Sequence, residues 1–398
     1  MKRTAKNPAF TGIYTADPSA HVWEDGRIYI YASHDMDPPR GCDLMDHYHV
    51  FSSSNMVDWR DEGEILSSDD VAWGRPEGGF MWAPDAAYKN GKYYFYYPHP
   101  SGSDWNHTWK IGVAVSDHPA KDFNDLGIIE GLGGFALIDP CVFVDEDGSA
   151  YMYYGGGGKC LGGIMNEDMI SMKQECIPME GLEDFHEAAW IFRRGSLYYL
   201  TYSDNLHGKN QLRYATSDKP LGPWTYRGVY LEPTDCDTSH GSVVEYKGQW
   251  YQFYHNCSLS GRGNLRTVCI DKLEFDDNGL IKPVQQTTEG VSAVGEKEAP
   301  LPSAVIPCDI MLNSTKRAGI ADLDGHGGSR VQITLTALEK DHKRVRIFIN
   351  GEDKSLLNLI DGSGYTTFKL KNSNTNSIEI EAHECELTLK EIKLEYLD

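Results

Sequence analysis

The stretch YTADPSAHVWEDGRIYIYASHD, Tyr14 to Asp35, sets a carboxylate beside a proline, then a short apolar run, an Asp-Gly turn and a strand crowded with tyrosine and isoleucine. The same order of residue types returns four times, as WAPDAAYKNGKYYFYYPHP from Trp82, IDPCVFVDEDGSAYMYYGGG from Ile138, HEAAWIFRRGSLYYLTYSDN from His186 and HGSVVEYKGQWYQFYHN from His240. Alternating side chains, abundant Tyr, Ile and Val, and turns of Asp-Gly, Asn-Gly, Arg-Gly or Lys-Gly make each a β-hairpin. The turn glycines Gly26, Gly91, Gly148, Gly195 and Gly248 recur every 47 to 65 residues, the period of a four-stranded propeller blade with its loops. A second phrase recurs in FSSSNMVDW from Phe51, GVAVSDHPAKDF from Gly112 and YATSDKPLGPW from Tyr214. Its Ser-Asp or Ser-Asn turn suits the outer strands of the same blades. The expectation is an all-β chain with a five-bladed β-propeller over residues 1–295. A β-sandwich also repeats hairpins, but the period and the polar residue fixed at each strand start favour the propeller.

After QQTTEGVSAVGEKEAPLP the texture changes. All nine tryptophans lie at or before Trp250, and SRVQITLTAL, KRVRIFING, TTFKLKN and CELTLKEIKLEYLD are short alternating strands. Residues 303–398 are expected to form a small accessory β-sandwich. Without tryptophan to act as a sugar platform, its expected role is packing rather than binding.

The 398 residues carry 37 Lys plus Arg against 59 Asp plus Glu, a formal net charge of -22. That field opposes nucleic acid and anionic membrane as partners. No apolar run approaches the roughly 20 residues that span a bilayer. The basic start MKRTAKNPAFTGIY has no apolar h-region after it, so the expected location is cytoplasmic, or periplasmic or secreted if a signal peptide was removed. The nine cysteines contain no C-x-x-C pair, which argues against a disulfide framework and a thiolate zinc site.

Aligning the repeats on their turns places Asp17 and Asp139 nine residues before the glycine, and Glu187 and His240 eight before. The second repeat offers Trp82 and Asp85. One Asp before Pro is usually a turn residue. Three carboxylates aimed at one channel mouth cost stability, and such a cost points to function. With side chains about 4–5 Å from a five-fold axis, Asp17 and Glu187 would lie roughly 7.5–9.5 Å apart, the spacing of inverting glycosidases. Asp139 would then sit roughly 5–6 Å from Glu187, close enough to raise its pKa. Asp17 thus suits a general base, Glu187 a general acid and Asp139 a modulator. Other chemistries fit poorly. HEAAW has Trp190 where a zincin needs its second His, GGGGKC is no P-loop, and there is no G-x-S-x-G elbow.

The phrases TADPSAHV, MWAPDAAYKNGKYYFYYP, IDPCVFVDEDG, HEAAWIFRRGSLYYLTYS, SHGSVVEYKGQWYQFYHN and NLRTVCIDKLEFDDNG resemble glycoside hydrolase family 43, in order, from residue 10 to about 290. The resemblance implies a five-bladed propeller and an inverting triad, with Asp17 as base, Asp139 as modulator and Glu187 as acid. It implies a sugar platform at Trp82, with Asp85 beside it, and further sugar-facing roles for His240 and Arg266, the latter reaching toward the carboxylates. It also implies that His240 could hold one hydrated calcium ion in the channel, with no other cofactor. The substrate would be an oligosaccharide or polysaccharide of plant hemicellulose. α-L-Arabinofuranosidase is the first expectation and β-D-xylosidase the second. A binding propeller without catalysis and a retaining furanosidase are the readings of other kinds.

Overall fold

The computed structural model describes residues 3–37, 43–134, 136–205, 210–325, 329–373 and 375–398. All five hairpins form: Thr15–Val22 with Ile28–His34, Asp85–Lys89 with Lys92–Pro100, Cys141–Val144 with Ala150–Tyr154, Glu187–Arg194 with Leu197–Ser203, and Gly241–Tyr246 with Gln249–Asn256. Each hairpin supplies the first two strands of an antiparallel sheet whose strands follow chain order, and these sheets are blades I to V. The Ser-Asp and Ser-Asn phrases close the third strands of blades I, II and IV, His47–Ser53, Trp109–Ser116 and Leu212–Ser217.

Propeller sheets are covered on both faces, so their strands need bulk everywhere. Tyrosine supplies it, since its ring is apolar and its hydroxyl can leave the core for a partner. Tyr31, Tyr96, Tyr153 and Tyr199 are fully buried on second strands. The Tyr31 hydroxyl of blade I donates to the Pro119 carbonyl of blade II (2.6 Å), and Tyr96 of blade II to Met169 of blade III (2.9 Å). Tyr153 of blade III donates to Pro220 of blade IV, and Tyr199 of blade IV to Gly279 just after blade V (2.6 Å). Tyr246 of blade V reaches Ser54 of blade I (2.8 Å), which completes the circle.

Four strands are expected per blade, and blades I to IV have them. Blade V has three among the described residues, ending at Thr267–Leu273. The N-terminal segment lies along that outer edge. Ala9 N–H donates to the Val268 carbonyl (2.7 Å), and the Asn7 amide brackets Ile270, accepting from its N–H (2.8 Å) and donating to its carbonyl (3.1 Å). An edge that would otherwise stay open is thereby covered.

The next strand begins at Ser303. Residues 303–396 form two four-stranded sheets around an aliphatic core that includes Val331, Ile333, Leu335, Ile347 and Ile380. This sandwich docks on blade I. Asp61, wholly buried in the strand Arg60–Ser67, accepts from Thr366 Oγ1 (3.2 Å) and Thr367 N–H (3.0 Å), while its own N–H donates to Gln332 (3.2 Å). Further along, Asn358 N–H donates to the Gly12 carbonyl (2.7 Å). A Cβ at Gly12 would stand 2.2 Å from the Tyr365 carbonyl oxygen. Gly12→Ala should therefore push the sandwich off its seat and cost about 1–3 kcal/mol, as overpacking does. Thermal unfolding checks this, with an unchanged midpoint as the contrary result.

Candidate active site

The carboxylates stand where the innermost strands begin, on distorted backbone. Asp17 has φ 52° and Asp139 φ 51°, both left-handed and both followed by proline. Asp tolerates this region better than most residues, but the strain is real and clusters at functional sites. In blade I the kink is a bulge between Ala16 and Ser19. Blade IV differs. Its bulge lies between Glu187 and Trp190, and Ala188 takes the positive φ of 63°. Glu187 thus leaves the chain one residue before its kink, with one methylene more to reach inward.

Asp17, Asp139, Glu187, Trp82, His240 and Arg266 line one cavity of about 180 Å³, together with Met45, Ala83, Thr238 and Ser239. The Trp82 ring packs 4.2 Å from that of Trp109, which supports it as a wall. Asp85 does not join them. It is 1% exposed and sits between blades, accepting from Ser19 Oγ (2.6 Å) and Val142 N–H (2.5 Å), with His21 Nε2 at 2.7 Å. Both oxygens are committed, so Asp85 is a tie among blades I, II and III and not a sugar contact.

Arg266 is buried. Its Nη1 donates to Asp17 Oδ1 (3.0 Å) and Thr238 Oγ1 (2.8 Å), while its Nε and Nη2 both donate to Asp35 (2.9 Å each). Asp139 receives no hydrogen bond from it and feels its charge only at longer range. Burial alone would raise the Asp17 pKa. The Arg266 charge and the Ser33 hydroxyl (2.5 Å) contribute to outweighing it, so Asp17 lies below the ordinary range. Asp17 N–H donates to His255 Nδ1 (3.1 Å), leaving Nε2–H to donate to the Thr238 carbonyl (2.9 Å). Burial first, then the Arg266 charge, pull His255 down to about 3, so this imidazole is neutral.

Asp139 and Glu187 go the other way. Burial raises both. For Asp139, repulsion from Glu187 and then Asp17 adds to it; for Glu187, the His186 imidazole 3.5 Å away opposes it and Asp17 adds to it. Two buried carboxylates this close resist ionising together. Asp139 Oδ2 accepts the Ala188 N–H (2.9 Å), a bond that favours its ionised form without offsetting burial and the neighbouring carboxyls. His240 Nδ1 stands 3.8 Å from the same oxygen, and burial lowers its pKa.

The family model for glycosyl hydrolases family 43 matches residues 5–281. The chain belongs to that family. A xylosidase/arabinosidase 43A of Humicola insolens is 38% identical over 331 residues, covering 69% of this chain and 98% of that protein. A xylosidase/arabinosidase of Bacteroides ovatus is 34% identical over 335 residues, covering 72% and 100%. A solved family 43 β-xylosidase/α-arabinofuranosidase from a compost metagenome, in complex with xylotriose and in a calcium-free form, superimposes with a TM-score of 0.64 at 35% identity, over 71% of this chain and 98% of that one. An arabinoxylan arabinofuranohydrolase of Bacillus subtilis, solved with cellotetraose, is 21% identical with a TM-score of 0.64 over 98% of this chain and 97% of that one. That likeness shows shared fold across both parts of the chain. As a family 43 member the chain is a glycoside hydrolase.

Calcium prefers six to eight oxygen ligands. His240 offers nitrogen, and among the described residues no three His, Cys, Asp or Glu side chains converge as a metal site. These side chains do not by themselves supply the oxygen ligands of a calcium ion.

Sequence reasoning missed Asp35, Ser33 and His255. The signal was a polar end to an apolar strand, Ser33-His34-Asp35 and His255-Asn256. Asp139→Asn removes the like charge beside Glu187 and should lower its pKa. Carboxyl-carbon NMR of variant and wild type reads this, and an unmoved or raised Glu187 titration would contradict it.

Proposed function

We propose that the chain removes single pentose units, arabinofuranosyl or xylosyl, from the ends and branches of hemicellulose with inversion of configuration. The observation that carries this is the opposed charging of carboxyls on one small cavity. Arg266 leads the groups that draw Asp17 below the ordinary carboxylate range, whereas burial raises Glu187 above it. Pairs pushed apart in this way divide the roles of base and acid. Asp17 takes a proton from the water that attacks the anomeric carbon. Glu187 gives its proton to the departing glycosidic oxygen. Asp139 favours retention of that proton, because two close carboxyls resist ionising together, and does not itself transfer one.

The cavity of about 180 Å³ is smaller than the roughly 300–1,000 Å³ pockets of drug-sized ligands. It suits one sugar ring, which supports exo action. The printed names of the relatives carry both pentosidase activities, including a β-xylosidase of Xylanibacter ruminicola and an arabinoxylan arabinofuranohydrolase of Bacillus subtilis, so both are proposed. A purely binding propeller has no use for two carboxyls on one cavity whose pKa values are pushed in opposite directions. Among the described residues no helix is long and apolar enough to cross a membrane. The eight described cysteines are free thiols, which supports a reducing compartment.

Asp17→Asn and Glu187→Gln should each lower turnover on an unactivated oligosaccharide by about 100-fold or more, with melting points little changed. Near-native turnover of either would overturn the assignment. Proton NMR of the first-formed sugar should show the inverted anomer, whereas a retained anomer would point to a nucleophile. In the pH–rate profile Asp139→Asn should move the upper limb to lower pH, because Glu187 then loses its proton sooner. The loss at neutral pH should be smaller for a nitrophenyl pentoside, whose leaving group needs little protonation.

A further inference from the structure

We infer that the C-terminal sandwich is a working part of the active site, with its Arg344 serving as a positioning residue for Arg266 and, through it, Asp17. This rests on the reading of Asp17 as base.

The argument follows the segment leaving the second strand of blade I. Asp35 N–H donates to the Tyr14 carbonyl (3.0 Å), and the Asp35 carboxylate takes the backbone N–H of Arg266 (2.7 Å) as well as Nε and Nη2. Three bonds from one residue fix where the guanidinium points, and the nitrogen left over faces Asp17. Whatever holds residues 35–37 therefore aims Arg266.

Asp37 does that holding. Its side chain is 7% exposed and ion-paired to Arg344, on the sandwich strand Lys343–Ile349. Its other cationic neighbour is Arg262, 3.5 Å away and 54% exposed. Arg262 lies four residues before Arg266, so one carboxylate ties the segment after Asp35, the loop entering Arg266, and the sandwich. Tyr14, three residues before Asp17, lines the same small interdomain cavity as Asp37, Arg262, His342 and Arg344. On its far side Asn358 of the sandwich grips Gly12. The sandwich thus bears on both chain segments that carry the Asp17–Arg266–Asp35 cluster.

Arg344 is the better buried of the two cations. Removing it leaves the buried Asp37 charge with one largely solvated partner, a costly state that is relieved by moving the carboxylate toward water. Residues 35–37 move with it, and Arg266 loses its aim. The charged and titratable groups facing Asp17 are Arg266, His255, His240, Asp35, Asp139, Glu187 and Tyr48. Of these, Arg266 is the strong cation that keeps Asp17 ionised. A loosened Arg266 therefore raises the pH at which Asp17 gives up its proton.

The test measures kcat and kcat/KM against pH on a nitrophenyl pentoside, with melting points, for R344A, R344K, D37N, the R344A/D37N double variant, and R346A as control. Arg346, two residues on in the same strand, directs its guanidinium to Asp353 (2.8 Å) and His383 (3.2 Å) rather than to Asp37. R344A should lower kcat about tenfold, a misplacement effect, and move the lower limb to higher pH. R344K should restore both. D37N should repeat the R344A effect and carries the test if R344A fails to fold, and the double variant should be no worse than either single. R346A should match wild type. The inference falls if the lower limb stays put in R344A and D37N, if R344K does not rescue, or if R346A moves equally. D17N run alongside separates the two claims: near-native turnover there removes the base assignment, whereas a dead D17N with an unmoved R344A removes only the coupling.

Discussion

A propeller has no first principle beyond closure: five twisted sheets must each fill a wedge and meet the next. Here tyrosine sets the terms. The rings of Tyr31, Tyr96, Tyr153 and Tyr199 fill the wedges, and their hydroxyls, with that of Tyr246, hand the load from each blade to its neighbour around the whole circle. Replacing one by phenylalanine would leave a carbonyl without its donor, at about 1–3 kcal/mol if the carbonyl stays dry. These ties fix how each sheet is rotated, and therefore how far each inner strand start projects into the centre. The catalytic geometry inherits its precision from the inter-blade seams.

Within that frame, neighbouring carboxyls acquire opposite character without any change of residue type. Asp17 and Asp139 share a left-handed backbone, a following proline and near-complete burial. They differ in what faces them: a doubly anchored guanidinium and a serine hydroxyl for one, a second carboxyl for the other. Asp35 matters because it occupies two of the Arg266 nitrogens. Arg266 is then not free to swing toward Asp139 and cancel its repulsion with Glu187.

The repeats made the fold legible, since a hairpin phrase spoken five times carries its own alignment. They also picked out Asp17, Asp139 and Glu187, because the strand start is where the period is strongest. Asp85 shows the limit. It occupies a strand start like the others, yet its carboxylate turns sideways into Ser19, His21 and Val142, and periodicity does not report direction. Glu187 shows a subtler one: its bulge is shifted by a residue, which turn-based alignment absorbed as a shorter turn. Asp35 and His255 escaped because their meaning lies in partners 231 and 238 residues away. The N-terminal segment along blade V and the seat of the sandwich on blade I are likewise contacts between chain regions with no shared pattern.

Those last contacts bear on how the molecule comes into being. The strand carrying Asp17 leaves the ribosome long before Arg344 and Asn358, which brace its surroundings. Blade I is left with its outer strand uncovered, and Asp61 without Thr366 and Thr367, until residues about 300 positions further on have been made. The edge that waits for its cover is the strand of blade I farthest from Asp17 in its sheet, so the inner strands can close into a ring before the sandwich arrives.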